Sequence, residues 1–112
     1  MQIDSERLDG GVLKIALAGR MDVQGTQEID LKFTGYTANQ QAVIVDMSAV
    51  EFLASIGIRT LLLAAKAISR RGGKVVIFNP DSNVTSVLEM AGIDTLIPIC
   101  RSLDEACSAV AA

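Results

Sequence analysis

The chain has 112 residues, half of them apolar, and a net charge of −3 at neutral pH. This length suits one domain, and the apolar content is sufficient for a compact core without disulfides or metals. The absence of histidine removes the commonest general base and metal ligand, and the acidic balance disfavours nucleic-acid binding. We therefore predict one domain over residues 1–112, with no enzymatic activity, no catalytic residues, no metal and no cofactor.

The cysteine content and the distribution of apolar residues indicate the cellular compartment. Cys100 and Cys107 are too few for a disulfide framework, and we expect both to be reduced thiols. The first nine residues do not resemble a signal peptide, and no apolar run approaches membrane-spanning length. These features predict a cytoplasmic protein that does not insert into a membrane.

The first third of the chain predicts a β-hairpin followed by a helix. Strands are expected over residues 3–8 and 12–18, joined by a turn at Asp9-Gly10-Gly11. Residues 19–22 are expected to form a loop. From Gln24 to about Gly35, apolar residues recur at helical spacing.

The middle of the chain predicts a buried strand over 42–45, a loop over 46–54, and then a long helix. Ser55 is a suitable N-cap residue for that helix. Its apolar stripe consists of Ile58, Leu61, Leu62, Ala65 and Ile68. Cations and two glycines at 70–73 end the helix, and a second buried strand follows over 74–78.

The last third predicts a helix capped by Asp81 or Ser82, a short edge strand over 96–99, and a final helix capped by Ser102. The order of elements predicts an α/β fold: an N-terminal hairpin and βα units that form a four-to-five-stranded, mostly parallel sheet with four helices. Sites in such sheets lie beyond the carboxyl ends of the strands. Segments 19–22, 46–55 and 79–81 are therefore expected to line one edge.

Ser55 is expected where the long helix begins at this edge. Free backbone amides and the helix dipole favour an anion there, so a phosphate on Ser55 would be held. Position alone leaves open whether Ser55 is modified or is only a cap. Asp22 has two interpretations as well, a functional acid beside Ser55 or the N-cap of the preceding helix. Asp46 is better explained as a structural acid.

One flank of the long helix carries Ile56, Arg59, Leu63 and Lys66 beside the core stripe. Two apolar side chains outside the core stripe suggest a surface that a partner covers. The alternative is that a neighbouring helix buries Leu63. We expect the flank to contact a partner protein.

Residues 45–58, VDMSAVEFLASIGI, resemble the signature of the STAS domain, and more narrowly that of bacterial anti-sigma factor antagonists. In that family a strand ending in Asp-Leu-Ser and an aromatic residue precede Asp-Ser-Ser-Gly-Leu, which opens the long helix. The first serine, which an anti-sigma factor kinase phosphorylates, matches Ser55. Segments 19–22, 71–73 and 88–92 also fit the pattern, so the resemblance spans the chain. Two positions differ: Ala54 replaces the acid and Ile56 replaces the second serine.

The resemblance implies a STAS-like fold and binding to an anti-sigma factor of the serine kinase type, which releases a sigma factor for transcription. Phosphorylation of Ser55 would switch the binding off. The expected partner-binding residues are Asp22, Ala54, Ser55, Ile56, Arg59 and Leu63. The alternative is a constitutive STAS subunit of a signalling scaffold or lipid-transport assembly, in which Ser55 is only a cap. A homo-oligomer is compatible with either function.

Overall fold

The computed structural model describes residues 1–111, and its elements alternate as predicted. The strands are β1 (Gln2–Arg7), β2 (Leu13–Met21), β3 (Ala42–Leu53), β4 (Lys74–Phe78) and β5 (Ile99–Cys100). The helices are α1 (Val23–Thr37), α2 (Ser55–Arg70), α3 (Ser82–Met90) and α4 (Leu103–Val110).

The five strands form one sheet in the order β1-β2-β3-β4-β5. β1 and β2 pair antiparallel as a hairpin, and the other neighbours pair in parallel. The hairpin connection contains Gly10 and Gly11, both with φ of 78°, a conformation that glycine adopts without steric cost. The predicted fold class, a mostly parallel sheet with an N-terminal hairpin and four helices, is confirmed.

Two apolar clusters cover opposite faces of the sheet, because side chains alternate along each strand. The larger cluster packs strand residues such as Ile15 and Val45 against α1, α2 and α3. The smaller one packs Ile44 and Val76 against α4. The sheet therefore carries α1 and α2 side by side on the same face, where they contact each other.

The predicted loops at 19–22 and 46–54 are wrong, because β2 continues to Met21 and β3 continues to Leu53. The register between the two strands shifts twice, between Ala16 and Ala18 and between Gly19 and Arg20. At each shift β3 contains an extra residue, which is the geometry of a β-bulge. The buried residues of this stretch, Met47, Val50 and Leu53, are consequently three apart and lack the alternation that marks a regular strand.

The C-terminal elements agree with the prediction in type and differ in their bounds. Asp81 caps α3 and Ser102 caps α4 through side-chain oxygens that accept backbone N–H groups. The last strand is Ile99–Cys100 and does not cover 96–99, because a 3-10 turn at Ile93–Thr95 already places Ile97 in the core. Burial raises the pKa of the Cys100 thiol, and Cys107 is also a free thiol.

Candidate functional site

The carboxyl ends of β2 and β3 lie side by side and place two helix starts next to each other. Met21 and Leu53 are the last register pair of the two strands. One residue further on, the Ala54 amide donates a hydrogen bond to the Met21 carbonyl oxygen at 3.0 Å. Asp22 and Ser55, which follow Met21 and Ala54, therefore belong to the same corner of the molecule.

α1 begins with a side-chain cap. Asp22 is the N-cap, and its Oδ1 accepts the Gly25 amide at 2.8 Å. This hydrogen bond, aided by the Arg20 guanidinium, lowers the pKa of Asp22. Of the two interpretations of Asp22, the structure establishes the capping role. Gly25 is required beside it, because a Cβ there would lie 1.9 Å from the Arg20 carbonyl oxygen.

α2 begins without such a cap. The expectation that Ser55 is the N-cap is wrong: β3 extends to Leu53, so Ala54 is the N-cap and Ser55 is the first helical residue. The Ala54 carbonyl accepts the Gly57 and Ile58 amides at 3.0 and 3.2 Å, but its side chain has no acceptor. Ser55 is exposed, at the positive end of a helix dipole that no carboxylate in its first turn offsets.

The glycine two residues after Ser55 has a packing role. A Cβ at Gly57 would lie 2.7 Å from Met21 Cγ and 2.7 Å from Leu53 Cδ1. The first turn of α2 therefore rests directly on the ends of β2 and β3, because Gly57 has no side chain. This contact fixes the position from which Ser55 faces solvent.

The flank of α2 that was expected to contact a partner is accessible. Leu63 is 58% exposed, so the neighbouring helix does not bury it. Arg59 is exposed and Ile56 is partly buried. Arg59 follows Ser55 by four residues, a spacing that places the two side chains on one face of the helix.

Sequence reasoning missed two residues at this corner, Arg20 and Phe52. The Arg20 guanidinium lies 4.4 Å from the centroid of the Phe52 ring, and its Nε lies 3.6 Å from Asp22 Oδ2. The two residues pair across β2 and β3 only because of the bulges. A regular register, which is all that the sequence suggests, would not have placed Arg20 opposite Phe52.

Segment 79–81 does not join the site. β4 pairs with β3 only as far as Phe78 opposite Asp46, whereas β3 continues to Leu53. The expectation that three segments line one edge therefore holds for two of them. The Asp46 carboxylate accepts the Ser48 amide at 3.0 Å and the Ser48 hydroxyl at 2.6 Å, in keeping with a structural role.

The described residues offer two further observations about ligands and membranes. Within residues 1–111, no three acidic or cysteine side chains come together in a way that would hold a metal ion. Nor does any helix in that range have the length and apolar character needed to cross a membrane.

Comparisons with known proteins agree with the fold and the sequence signature. The profile of the STAS domain matches residues 4–106. A putative anti-sigma factor antagonist, BtrV of Bordetella bronchiseptica, is 23% identical over 97% of this chain and 94% of its own length. An anti-sigma factor antagonist from Mycobacterium paratuberculosis superposes with a TM-score of 0.89 at 24% identity, over 99% of this chain and 94% of that one. The Bacillus cell fate determinant SpoIIAA in its phosphorylated form superposes with a TM-score of 0.71 at 17% identity, over 96% and 97% of the two chains.

Proposed function

The chain belongs to the STAS domain family, and we propose that it is an anti-sigma factor antagonist whose binding is controlled at Ser55. It binds an anti-sigma factor of the serine kinase type, and the sigma factor held by that protein is released for transcription. The partner's kinase activity phosphorylates Ser55 and ends the complex. Anti-sigma factor antagonists of this family are regulators without enzymatic activity, so this chain is the substrate of the kinase and performs no catalysis.

The observation that carries the proposal is the placement of Ser55. Its side chain is exposed at the first residue of α2, beside the Asp22 corner and on the same helix as Ile56 and Leu63. A kinase reaches the hydroxyl there without unfolding any element. The similarity to SpoIIAA, which has been solved in a phosphorylated form, supports the same modification here.

The fold tolerates a phosphate at this position. An anion at an exposed helix N-terminus is stabilising by about 0.3–1 kcal/mol. Arg59 lies one turn further along the helix and is available as a counter-charge. The modification therefore acts with little effect on folding.

The same phosphate is costly at an interface. It brings close to two negative charges, and burying them against an uncharged or acidic patch costs several kcal/mol. The binding free energy lost at the interface is therefore larger than the folding free energy gained at the helix N-terminus. Each loss of about 1.4 kcal/mol in binding free energy weakens the affinity tenfold. Phosphorylation thus switches the complex off and leaves the domain folded.

Ala54 favours one second candidate, a constitutive STAS subunit of a larger signalling or lipid-transport assembly. The antagonists that this chain resembles have an acid at this position, beside the modified serine. With Ala54 there, Ser55 lacks that neighbour. In the second candidate the domain packs permanently and Ser55 only begins α2.

Phosphate incorporation separates the two candidates. The purified protein is incubated with ATP, Mg²⁺ and the kinase-type anti-sigma factor encoded in the same genome, and the site is located by mass spectrometry. We expect one phosphate on Ser55, absent from Ser55→Ala and retained in Ser48→Ala, a control serine that is also exposed. A stable complex in which Ser55 stays unmodified would contradict the switch and support the scaffold.

A further inference from the structure

A groove runs along the outer side of α1 and α2, from Ile56 to Arg71, and does not include Ser55. The two helices are parallel because each follows one of two parallel strands. At their far ends, the Arg71 guanidinium donates to the carbonyl oxygens of Thr37 and Gln40 at 2.8 and 2.9 Å. The groove comprises a part of about 200 Å³ near Ile56 and a part of about 400 Å³ toward Arg71. Both parts share the lining residues Asp30, Thr60 and Leu63.

The shape of this α1–α2 groove suits a helix. Its lining includes small side chains that keep it shallow and open: Thr34, Thr60, Ala64 and Ala67. Leu63 stands in the middle and is 58% exposed. Helices pack at about 8–10 Å between axes where small residues allow it, and an exposed leucine supplies an apolar anchor.

The charge of the groove indicates what kind of helix it accepts. Between residues 55 and 70, α2 has three cations and no acid. The α1 side of the groove contributes one acid to the lining, Asp30, so the cations along α2 outnumber it. Arg59, Leu63, Lys66 and Arg70 follow spacings of four, three and four, which place them in one row along the helix. The ion pairs of the described residues use other cations, namely the Met1 amino group, Lys14 and Arg20. Within residues 1–111, none of the three cations in the α2 row is in an ion pair: Arg59 lines the groove together with Leu63, and Lys66 and Arg70 continue the row outside the lining.

Two buried donors also belong to residues of the groove. Within residues 1–111, the buried side-chain polar atoms without a hydrogen-bond partner are Thr26 Oγ1 and Arg71 Nε. Thr26 lines the groove near Ile56, and Arg71 lines it at the other end. Unpaired buried polar atoms are costly, and these two show that the packing of α1 and α2 leaves polar groups unsatisfied at both ends of the groove.

We propose that the α1–α2 groove binds an acidic amphipathic helix of the partner protein. The apolar side of that helix packs on Leu63, and its carboxylates face the row of Arg59, Lys66 and Arg70. The proposal rests on the proposed function in taking the partner to be the anti-sigma factor. It adds a docking surface that does not include Ser55 and specifies the chemistry of the segment that fills it.

Two designed helical peptides test the groove. They have the same leucines at i, i+3, i+4 and i+7, and their polar side has glutamates in one and lysines in the other. Each is titrated into ¹⁵N-labelled full-length protein and followed by amide chemical shifts. We expect the acidic peptide to bind about tenfold or more tightly than the basic one, with shift changes confined to α1 and α2.

Matched variants locate the binding. Leu63→Asp is expected to weaken binding of the acidic peptide by about tenfold or more. Met90→Asp should not change it, because Met90 is 88% exposed on α3, outside the groove. Equal binding of both peptides, shift changes outside α1 and α2, or a homodimer that fills the groove in place of the peptide would overturn the proposal.

The result of the peptide titration is independent of the result of the Ser55 phosphorylation experiment. The titration uses no kinase and no phosphate, so it gives its answer whether or not Ser55 is modified. If the acidic peptide binds the groove but the kinase experiment leaves Ser55 unmodified, only the proposed switch is refuted. If Ser55 is phosphorylated but the peptide does not bind the groove, only this inference is refuted.

Discussion

The Ala54 amide nitrogen lies 3.0 Å from the Met21 carbonyl oxygen, so the residue that precedes α2 is hydrogen-bonded to the last residue of β2. Because of this bond, α1 and α2 start from one corner rather than from two independent loops. The corner presents a capped helix start at Asp22 and an uncapped one at Ala54. The difference between the two starts leads to the first two predictions.

Asp22 should contribute stability that depends on pH. Its pKa is lowered below the ordinary value of 3.8, chiefly by the Gly25 amide. A lowered pKa in the folded state gives a contribution that is present above the unfolded pKa and is lost as pH falls through the folded pKa. Asp22→Asn keeps a capping oxygen but removes the charge. Urea unfolding should therefore show wild type more stable than Asp22→Asn at pH 6, with the difference vanishing at strongly acidic pH. A difference that persists at acidic pH would contradict this assignment.

Ala54→Asp should stabilise the protein. It supplies the missing acceptor at the N-cap of α2, and such caps contribute about 0.5–2 kcal/mol. Ala67→Asp is the matched control, because it adds the same charge to the C-terminal half of α2, where the dipole disfavours an anion. Chemical denaturation of the two variants provides the comparison. Destabilisation by Ala54→Asp would show that α2 does not begin where the structure places it.

Gly57→Ala should destabilise the protein although it lies in a helix. The added Cβ would meet Met21 and Leu53 side-chain atoms at 2.7 Å, and overpacking of this kind costs about 1–3 kcal/mol. Gly35→Ala is the control, since nothing lies within 4 Å of its Cβ position in α1. That variant should gain up to about 1 kcal/mol from helix propensity. If thermal unfolding shows that both variants change the melting temperature in the same direction, the packing of α2 on the strand ends is refuted.

Ile56→Asp should weaken binding of the anti-sigma partner with little change in thermal stability. Ile56 is only partly buried, and an acid in the first turn of a helix is favourable for the fold. Leu96→Asp serves as the control, because Leu96 is 65% exposed and lies outside the site. Affinity is measured by calorimetric titration and folding by circular dichroism. If Ile56→Asp loses its fold as well as its binding, Ile56 belongs to the core and not to the interface.

The sequence was informative where the hydrophobic period is regular. α2 was predicted, with Ser55 as its N-cap, because Ile58, Leu61 and Ile68 mark a continuous stripe, and the structure contains this helix, with its first helical residue at Ser55 itself. β4 was predicted over 74–78 because its apolar run is bounded by glycine and proline, and its bounds are the same in the structure. In both cases the local pattern of apolar residues was sufficient to predict the element.

The corner itself was only partly predictable. β3 was expected to end near Val45, because the apolar run over residues 42–45 is bounded by polar residues. The buried residues that continue the strand, Met47, Val50 and Leu53, are three residues apart and do not show the alternation of a regular strand. The bulges that explain this spacing come from pairing with β2, which is a tertiary property. The capping role of Ala54 follows from the same extension of β3, and it could not be inferred from a residue with no polar side chain. The contact between Arg20 and Phe52 depends on that register as well.

The affinity of the anti-sigma factor for the Ser55 variants tests the central claim most directly. Calorimetric titration compares the unaltered protein, Ser55→Ala and Ser55→Glu, with the melting temperature of each measured in parallel. The account predicts that Ser55→Ala binds like the unaltered protein, and that Ser55→Glu binds about tenfold or more weakly at an unchanged melting temperature. Equal affinities of the two variants would contradict it.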